Sequence, residues 1–366
     1  MFSFSSSNHQ DRKQEENLAE TLLLKEWRPE TIHQVPRSNV SHAAYRAVDV
    51  HSHAYTESKR EVDRVVESMD SVGVQKRIVL TGATGDKFKA LKERYSEYPD
   101  RFDLWCGINY SGYMEEGWPE KAAAALERCA EMGGVGIGEM SDKGKGLVPS
   151  LDPDSQMPPN DPRMDPVFEK AGELGLPVNI HIAEPIWMYQ SMDSTNDGLL
   201  RAHTWSVEHQ DVTVSHSGMI DIMEETLQRH PGTTFIACHL MNLNNNLARL
   251  GDLLDRHSNL YIDIGARFAE FSTIPRYAAR FFKKYQDRIL YGTDYGWETF
   301  NNDTHYGNHT TTAEMYRMTF QVLETTDDHF YRTDLLGYRW PLYGLGLSDP
   351  VLRKIYQDNA QRILDL

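Results

Sequence analysis

Eight short runs of apolar and β-branched residues recur along this chain, each about the length of a β-strand. They cover residues 46–53, 76–82, 103–109, 134–140, 177–182, 233–239, 259–265 and 288–294. Most are separated by segments with apolar residues at three- and four-residue spacing, which is the helical period. This alternation is typical of parallel strands with crossover helices, and eight such units predict an α/β protein of the (β/α)₈ type, a TIM barrel.

The chain is longer than a minimal barrel. A TIM barrel typically takes about 250 residues, whereas this sequence has 366. We expect the surplus in an N-terminal extension over 1–45 and in two long loops, 183–232 after the fifth predicted strand and 295–349 after the eighth. Loops of that length are more often functional than idle. The sequence therefore predicts one barrel domain over 46–366, preceded by a polar extension.

Charge and cysteine usage limit the partners and the compartment. The net charge is −16, from 38 Lys and Arg against 54 Asp and Glu, and such a surface repels nucleic acid and anionic membranes. The three cysteines form no C-x-x-C motif, and no apolar run suits a signal peptide or a membrane span. We expect a cytoplasmic protein that acts on a small molecule, and apolar stretches in the long loops leave a homo-oligomer open.

Imidazole and carboxylate side chains stand at the ends of five predicted strands. They are His51, His53, Glu139, His181, His239 and Asp294. In a TIM barrel the reactive groups come from the C-terminal ends of the strands, so these six side chains are predicted to converge on one rim. Imidazole and carboxylate suit a divalent ion, and three or four ligands leave a position open for water. Zinc is the expected ion, with manganese, iron or cobalt as alternatives.

Each of these residues has a plainer interpretation when taken alone. A His-x-His pair such as His51 and His53 occurs often by chance, and His181 could be a hydrogen-bonded core histidine. Asp294 lies in YGTDYG, where Gly-Thr-Asp is ordinary turn chemistry. The metal-site interpretation rests on the fact that all of them fall at separately predicted strand ends.

The same residues carry a resemblance to a known family. HSH at strand 1, NIHI at strand 5, CH at strand 6, YGTD at strand 8 and the C-terminal LRKIYQDNAQRIL resemble the amidohydrolase superfamily, and more closely its amidohydrolase-2 family, over about residues 46–366. This resemblance implies a metal-dependent (β/α)₈ barrel. Members include hydrolases of amide, lactone and related bonds, and also non-oxidative decarboxylases of the aminocarboxymuconate semialdehyde type.

The resemblance also implies a ligand set. His51, His53 and Asp294 would bind one ion, and His181 would bind the same ion or a second one. Glu139 departs from the pattern of the decarboxylase-like members, because an acidic group at strand 4 is a bridge between two ions in binuclear members, including TatD-type nucleases. With that bridge, His181 and His239 would hold the second ion; without it, His239 is free to shuttle protons or to polarise the substrate. One ion and two ions both stay open.

The favoured function is a metal-dependent hydrolase that uses a metal-activated water on an amide, lactone or related bond of a small molecule. Asp294 is the expected general base, and His239 is the second catalytic candidate. The alternative on the same site is a non-oxidative decarboxylase of an aromatic or unsaturated carboxylic acid. A catalytically inactive barrel that serves as a scaffold is a third possibility, although a scaffold has no need of six converging polar groups.

Residues that follow the predicted strands are candidates for contact with the substrate. They are Arg267, Tyr55, Glu184 and Trp297. Arg267 could clamp a carboxylate or phosphate, or could make a surface ion pair. Asp49 is two residues before His51, so a regular strand would turn both side chains toward the barrel interior, where Asp49 is expected to have a structural role.

Overall fold

The computed structural model describes residues 20–202, 212–296, 311–332 and 339–366. These residues form eight β-strands, one at each position where the sequence predicts a strand. The strands are β1 (Ala47–His53), β2 (Val74–Leu80), β3 (Phe102–Trp105), β4 (Ile137–Asp142), β5 (Val178–Ile182), β6 (Phe235–Ala237), β7 (Leu260–Asp263) and β8 (Ile289–Leu290).

All neighbouring strands run parallel. Regular pairing forms two sheets in which each strand pairs with the next one in the chain. One sheet contains β1, β2 and β3, and the other contains β4, β5, β6, β7 and β8. Isolated parallel bridges link the two sheets, from Cys106 to Ile137 on one side and from Ser52 to Tyr295 on the other. The predicted β/α fold is confirmed, and its strand ends meet on one side of the sheet.

Helices fill the connections between the strands. Among the described residues they are α1 (Lys59–Val72), α2 (Gly85–Arg94), α3 (Trp118–Glu131), α4 (Asp165–Glu173), α5 (Leu199–Ala202), α6 (His216–Arg229), α7 (Leu247–Arg256), α8 (Phe268–Phe271), α9 (Pro275–Lys284), α10 (Thr312–Glu324), α11 (Asp349–Arg353) and α12 (Asn359–Leu364). A π-helical turn at Lys354–Asp358 joins the last two. No helix in these ranges combines the length and the hydropathy needed to cross a membrane.

Helix α1 shows why these segments fold as they do. Its N-terminus is closed by a capping box, in which the Ser58 side chain accepts from the Glu61 backbone and the Glu61 side chain accepts from the Ser58 backbone. Val62, Val66 and Met69 lie on one buried face. The helix ends at Gly73, whose φ of 80° is a left-handed conformation that favours glycine.

The two segments predicted as long loops contain helices. Helix α6 lies in the first and α10 in the second, each with an N-terminal cap, from Ser215 and from Thr311 respectively. Both helices bury polar as well as apolar side chains, such as His216 in α6 and Thr319 in α10. Helix α10 is buried around most of its circumference and has no clean polar face, so its periodicity is weak in the sequence, whereas α6 buries one regular face.

Two layers of apolar side chains hold the barrel together. A small cluster takes residues from five strands and from the C-terminal helix, which places it inside the barrel: Val48, Val50, Ile78, Leu80, Trp105, Ile236, Leu290 and Ala360. A larger cluster lies between strands and helices. Side chains alternate along a strand, so this interior layer identifies which residues of each strand face inward.

The expectation that Asp49 shares the inward face of His51 is wrong. The β1–β2 pairing shifts register between Asp49 and Ser52, and this irregularity breaks the alternation. Asp49 therefore faces the helix layer, where Tyr316 of α10 donates to its Oδ2 at 2.7 Å and the Thr293 hydroxyl donates to the same atom at 2.7 Å. Burial raises the pKa of this carboxyl group. Its role is structural, as expected.

The N-terminal extension lies against the end of the long segment after β8. The Arg37 side chain donates to the backbone carbonyls of Asp328 and His329, and the backbone NH of Ser38 donates to the Asp327 carboxylate at 3.0 Å. These contacts hold residues near 37 on the barrel. A domain boundary at residue 45 stays a prediction.

Replacement of Tyr316 by phenylalanine tests the role of Asp49. The change deletes one donor to a buried carboxylate, so we expect the free energy of unfolding to fall by about 1–3 kcal/mol. Urea denaturation followed by circular dichroism measures it. Tyr277→Phe, at a tyrosine that is 43% exposed, is the matched control; equal effects of the two variants would contradict the assignment.

Candidate metal centre

His51 is the most deeply held of the strand-end histidines. It is fully buried, and its Nδ1 donates to Asp263 Oδ2 at 3.0 Å. Its other ring nitrogen, Nε2, is also buried and has no hydrogen-bond partner among the described residues. Nε2 lies 3.3 Å from Asp294 Oδ1. A carboxylate that fixes one ring nitrogen while the other is left for an ion is the usual arrangement around metal-binding histidines.

The closure of β8 on β1 brings Asp294 to this histidine. The backbone NH of Asp294 donates to the His51 carbonyl at 2.9 Å, and Asp294 has a left-handed φ of 63°. Non-glycine residues rarely adopt that conformation, and when they do they cluster at functional sites. His53 Nε2 lies 2.8 Å from Asp294 Oδ1. The first and last strands thus supply three adjacent polar groups.

Glu139 from β4 lies in the middle of the cluster. Its Oε2 is 3.6 Å from His53 Nε2 and 3.8 Å from His51 Nε2. Its Oε1 is 2.6 Å from His181 Nδ1 and 3.5 Å from His239 Nε2. One carboxylate oxygen therefore faces the β1 histidines, and the other faces the histidines that follow from β5 and β6.

His239 reaches the same point from the end of β6. Its φ of 61° turns the chain out of the strand, and its Nδ1 donates to the Gly265 carbonyl at 3.0 Å. This contact directs Nε2 toward Glu139 and toward Asp294 Oδ2, which is 3.9 Å away. Asp263 supports the turn, because its Oδ1 accepts from the backbone NH of His239 at 3.3 Å.

The titration behaviour of the cluster reflects crowded opposite charges. Burial would raise the pKa of Asp294, but His239, His51 and His53 outweigh it and hold this pKa well below the usual range. Burial would likewise raise the pKa of Glu139, but His181 and His239 bring it well below. Burial would lower the pKa of His51, but Asp263 and Asp294 hold it well above. Such a site favours a positive charge at its centre.

The residues present fit a divalent ion. Two overlapping sets have donor atoms that all lie within 4.8 Å of one another: His51, His53, Glu139 and Asp294, and also Glu139, His181, Cys238 and His239. The structure thus brings all six predicted residues together. Imidazole and carboxylate donors match zinc and its first-row neighbours. The assignment of each residue as a ligand stays a prediction.

The sequence analysis did not select two residues of this cluster. Asp263 supports both His51 and His239, and its signal was an acidic residue inside the apolar strand YIDIG. Cys238 belongs to the second donor set and is completely buried. It directly precedes His239, and nothing else in the sequence marks it as a ligand.

Glu184 is engaged by basic groups. It is 5% exposed, and Lys143 Nζ lies 2.5 Å from its Oε1, while His181 Nε2 lies 3.4 Å from the same atom. Arg267 NH2 lies 3.5 Å from Glu184 Oε2 and donates to Asn242 at 2.7 Å. Glu184 thus orients His181 from the side opposite to Glu139. Contact of Glu184 and Arg267 with a substrate stays a prediction.

An open cavity adjoins the cluster. It has a volume of about 520 Å³ and reaches Glu139, and its wall includes Tyr110, Lys143, Lys145 and Leu147. Its size and its mixture of apolar and polar groups are those of a small-molecule site. Tyr55, which is 39% exposed, stacks on His53 with ring centroids 5.2 Å apart. The predicted substrate residue Trp297 lies outside the described residues.

Several solved structures share this fold. A candidate amidohydrolase from Staphylococcus aureus has a TM-score of 0.54 at 16% identity, with 87% of this chain and 99% of that chain covered. The 2,6-dihydroxybenzoate decarboxylase from Rhizobium has a TM-score of 0.52 at 17% identity, with 88% and 99% covered. The 5-carboxyvanillate decarboxylase from Novosphingobium aromaticivorans, solved with manganese and 4-hydroxy-3-methoxy-5-nitrobenzoic acid, has a TM-score of 0.51 at 15% identity, with 90% and 99% covered.

At these identities the likeness to solved structures shows the fold alone. No curated protein matches the sequence. The model of the family described as Amidohydrolase, however, matches residues 48–366, which is nearly the whole barrel. This match confirms the resemblance drawn from the strand-end histidines and aspartate, and the chain belongs to the amidohydrolase family.

Proposed function

We propose that this protein is a metal-dependent hydrolase that cleaves an amide, lactone or related bond of a small molecule. The observation that carries the proposal is the position of Glu139, with one carboxylate oxygen toward His51 and His53 and the other toward His181 and His239. A carboxylate shared in this way suits two ions. Zinc is the proposed ion, with manganese, iron or cobalt as alternatives.

The protein groups have distinct roles in this reaction. Divalent ions, when bound, would lower the pKa of water and polarise the carbonyl of the substrate. Asp294 accepts the proton of the attacking water and returns it to the leaving nitrogen or oxygen as the carbon–heteroatom bond breaks. Its low pKa keeps it ionised for that task. His239, fixed through Gly265, would hold the second ion together with His181.

The cavity beside Glu139 is the proposed substrate pocket. Its volume of about 520 Å³ suits a small organic molecule. Lys143 and Lys145 on its wall are favourable for a negatively charged substituent, in contrast to the acidic average of the surface.

The second candidate function is a non-oxidative decarboxylase. The observation that favours it is the shared fold of the 2,6-dihydroxybenzoate and 5-carboxyvanillate decarboxylases, one of them solved with manganese. In this reaction the bond between the carboxyl carbon and the aromatic or unsaturated carbon that carries it breaks. CO₂ leaves, and that second carbon receives a proton. His239 would supply that proton.

Product analysis separates the two candidates. The protein, loaded with zinc or manganese, is assayed against lactones, amides and aromatic carboxylates in ¹⁸O-labelled water. Hydrolysis introduces one labelled oxygen into the acid product, whereas decarboxylation releases CO₂ and leaves an unlabelled arene. Turnover of carboxylates alone would reject the hydrolase proposal in favour of the second candidate.

The metal content of the protein should depend on His51. His51→Ala removes a proposed ligand, so elemental analysis should find less metal per chain than in the unmodified protein, with an unchanged circular dichroism spectrum. His230→Ala is the matched control, because His230 is a buried histidine that pairs with Asp165 at 3.0 Å, outside the centre. Unchanged metal in His51→Ala would contradict the assignment.

The number of bound ions should depend on the charge of Glu139. Glu139→Gln keeps the shape of the side chain but removes its charge, so it should bind one ion where the unmodified protein binds two. Hydrolysis should fall by roughly 100-fold or more, as when a catalytic group is lost. Titration with zinc followed by elemental analysis counts the ions. A variant that still binds two ions with full activity would show that Glu139 does not bridge.

The metal affinity should depend on the hydrogen bond from His51 to Asp263. Asp263→Asn weakens the contact that orients the ring, so metal affinity should fall by roughly 10–100-fold, as is usual for groups behind a ligand. Competition with a chromogenic chelator measures the affinity. Asp255→Asn, at a carboxylate that pairs with Lys284 on the surface, is the control. Equal metal affinities in the two variants would contradict the role of Asp263 in orienting His51.

A further inference from the structure

Cys238 directly follows β6 in an extended conformation and continues its inward face. Ile236 belongs to the cluster inside the barrel, whereas Phe235 and Ala237 belong to the layer between strands and helices. Side chains alternate along the strand, so the next inward position is 238. Cys238 is 0% exposed. Its thiol is therefore the last inward-facing side chain on this stretch, just before the chain turns away at His239.

The sulfur lies among the proposed ligands. Cys238 Sγ is 3.6 Å from Glu139 Oε1, the oxygen that faces His181 and His239. Ligand atoms of these four residues lie within 4.8 Å of one another. Cys238 also forms a second set of this kind with His51 and Asp263.

An independent observation indicates that this interior is built around an ion. His51 Nε2 is buried and lacks a hydrogen-bond partner among the described residues, and it lies 3.3 Å from Asp294 Oδ1 and 3.8 Å from Glu139 Oε2. A buried polar atom without a partner is costly in a protein interior. A cation between these groups would satisfy the nitrogen, and Cys238 belongs to a donor set that includes His51.

We propose that Cys238 is a thiolate ligand of the ion held by Glu139, His181 and His239. This inference rests on the proposed metal-dependent function. On binding, the S–H bond breaks, the sulfur lone pair binds the ion, and the proton leaves to solvent. The donor set then has four members, the number typical of zinc. A thiolate also selects zinc or cobalt over manganese or magnesium, which prefer oxygen donors.

The alternative role for Cys238 is that of a hydrogen-bond donor. In that case the thiol keeps its proton and donates to Glu139, and it would only position the carboxylate. The two roles differ in whether sulfur contacts the ion. That contact can be observed without any substrate.

Cobalt provides the test. The full-length protein is stripped with a chelator, refilled anaerobically with Co²⁺, and examined by absorption spectroscopy. We expect an intense near-ultraviolet band from thiolate-to-cobalt charge transfer, and its loss in Cys238→Ser with the weaker visible cobalt bands retained. Cys106→Ser and Cys129→Ser, at the other two buried cysteines, should keep the band and serve as matched controls.

X-ray absorption on the zinc-loaded, unmodified protein decides the matter if Cys238→Ser does not fold. A sulfur neighbour at about 2.3 Å, beside nitrogen and oxygen at about 2.0–2.1 Å, supports the proposal. Bound cobalt without the charge-transfer band, together with a shell of only nitrogen and oxygen, overturns the role of Cys238 and leaves the metal centre standing. Failure to bind Co²⁺ or Zn²⁺ at all overturns the proposed function itself.

Discussion

The closure of β8 on β1 is the constraint on which the site depends. The His51 carbonyl accepts from the backbone NH of Asp294, and the Asp49 carboxylate accepts from the backbone NH and the hydroxyl of Thr293. These bonds join residues that are more than 240 positions apart in the chain. Because they fix the backbone, the side chains of His51 and Asp294 meet without any bond of their own. Without this closure, His51 and Asp294 would not meet and the centre would be lost.

Closure also creates an electrostatic problem, which the same residues resolve. Three carboxylates converge here, Asp263 fully buried and Glu139 and Asp294 partly buried, and isolated carboxylates removed from water are costly. The imidazoles of His51 and His239 offset part of that cost, which is why the pKa of His51 is raised and those of the carboxyl groups are lowered. A divalent cation offsets more charge than a proton does, so the arrangement is better suited to a metal ion than to ion pairs alone.

Much of the fold and of the site could be predicted from the sequence, because the C-terminal ends of all strands in a (β/α)₈ barrel lie together at one rim. The eight strands and the six convergent residues follow from that one rule. The rule fails where the strand is not regular. The register shift after Asp49 reverses which residue faces inward, and the left-handed conformation at His239 lets Cys238 and His239 approach the same cluster. Neither irregularity leaves a trace in apolar periodicity, since both depend on contacts with distant strands.

The fold alone does not determine the reaction, because barrels of this kind include decarboxylases. The reaction depends instead on the groups that the strands place at the rim. In this chain β4 contributes a carboxylate that contacts histidines from three other strands. A central anionic group lets two cations approach each other, whereas a neutral group in its place would leave their repulsion uncompensated. Under the proposed function, the charge at position 139 would therefore decide whether one ion or two can be held, and with it which reaction this barrel can catalyse.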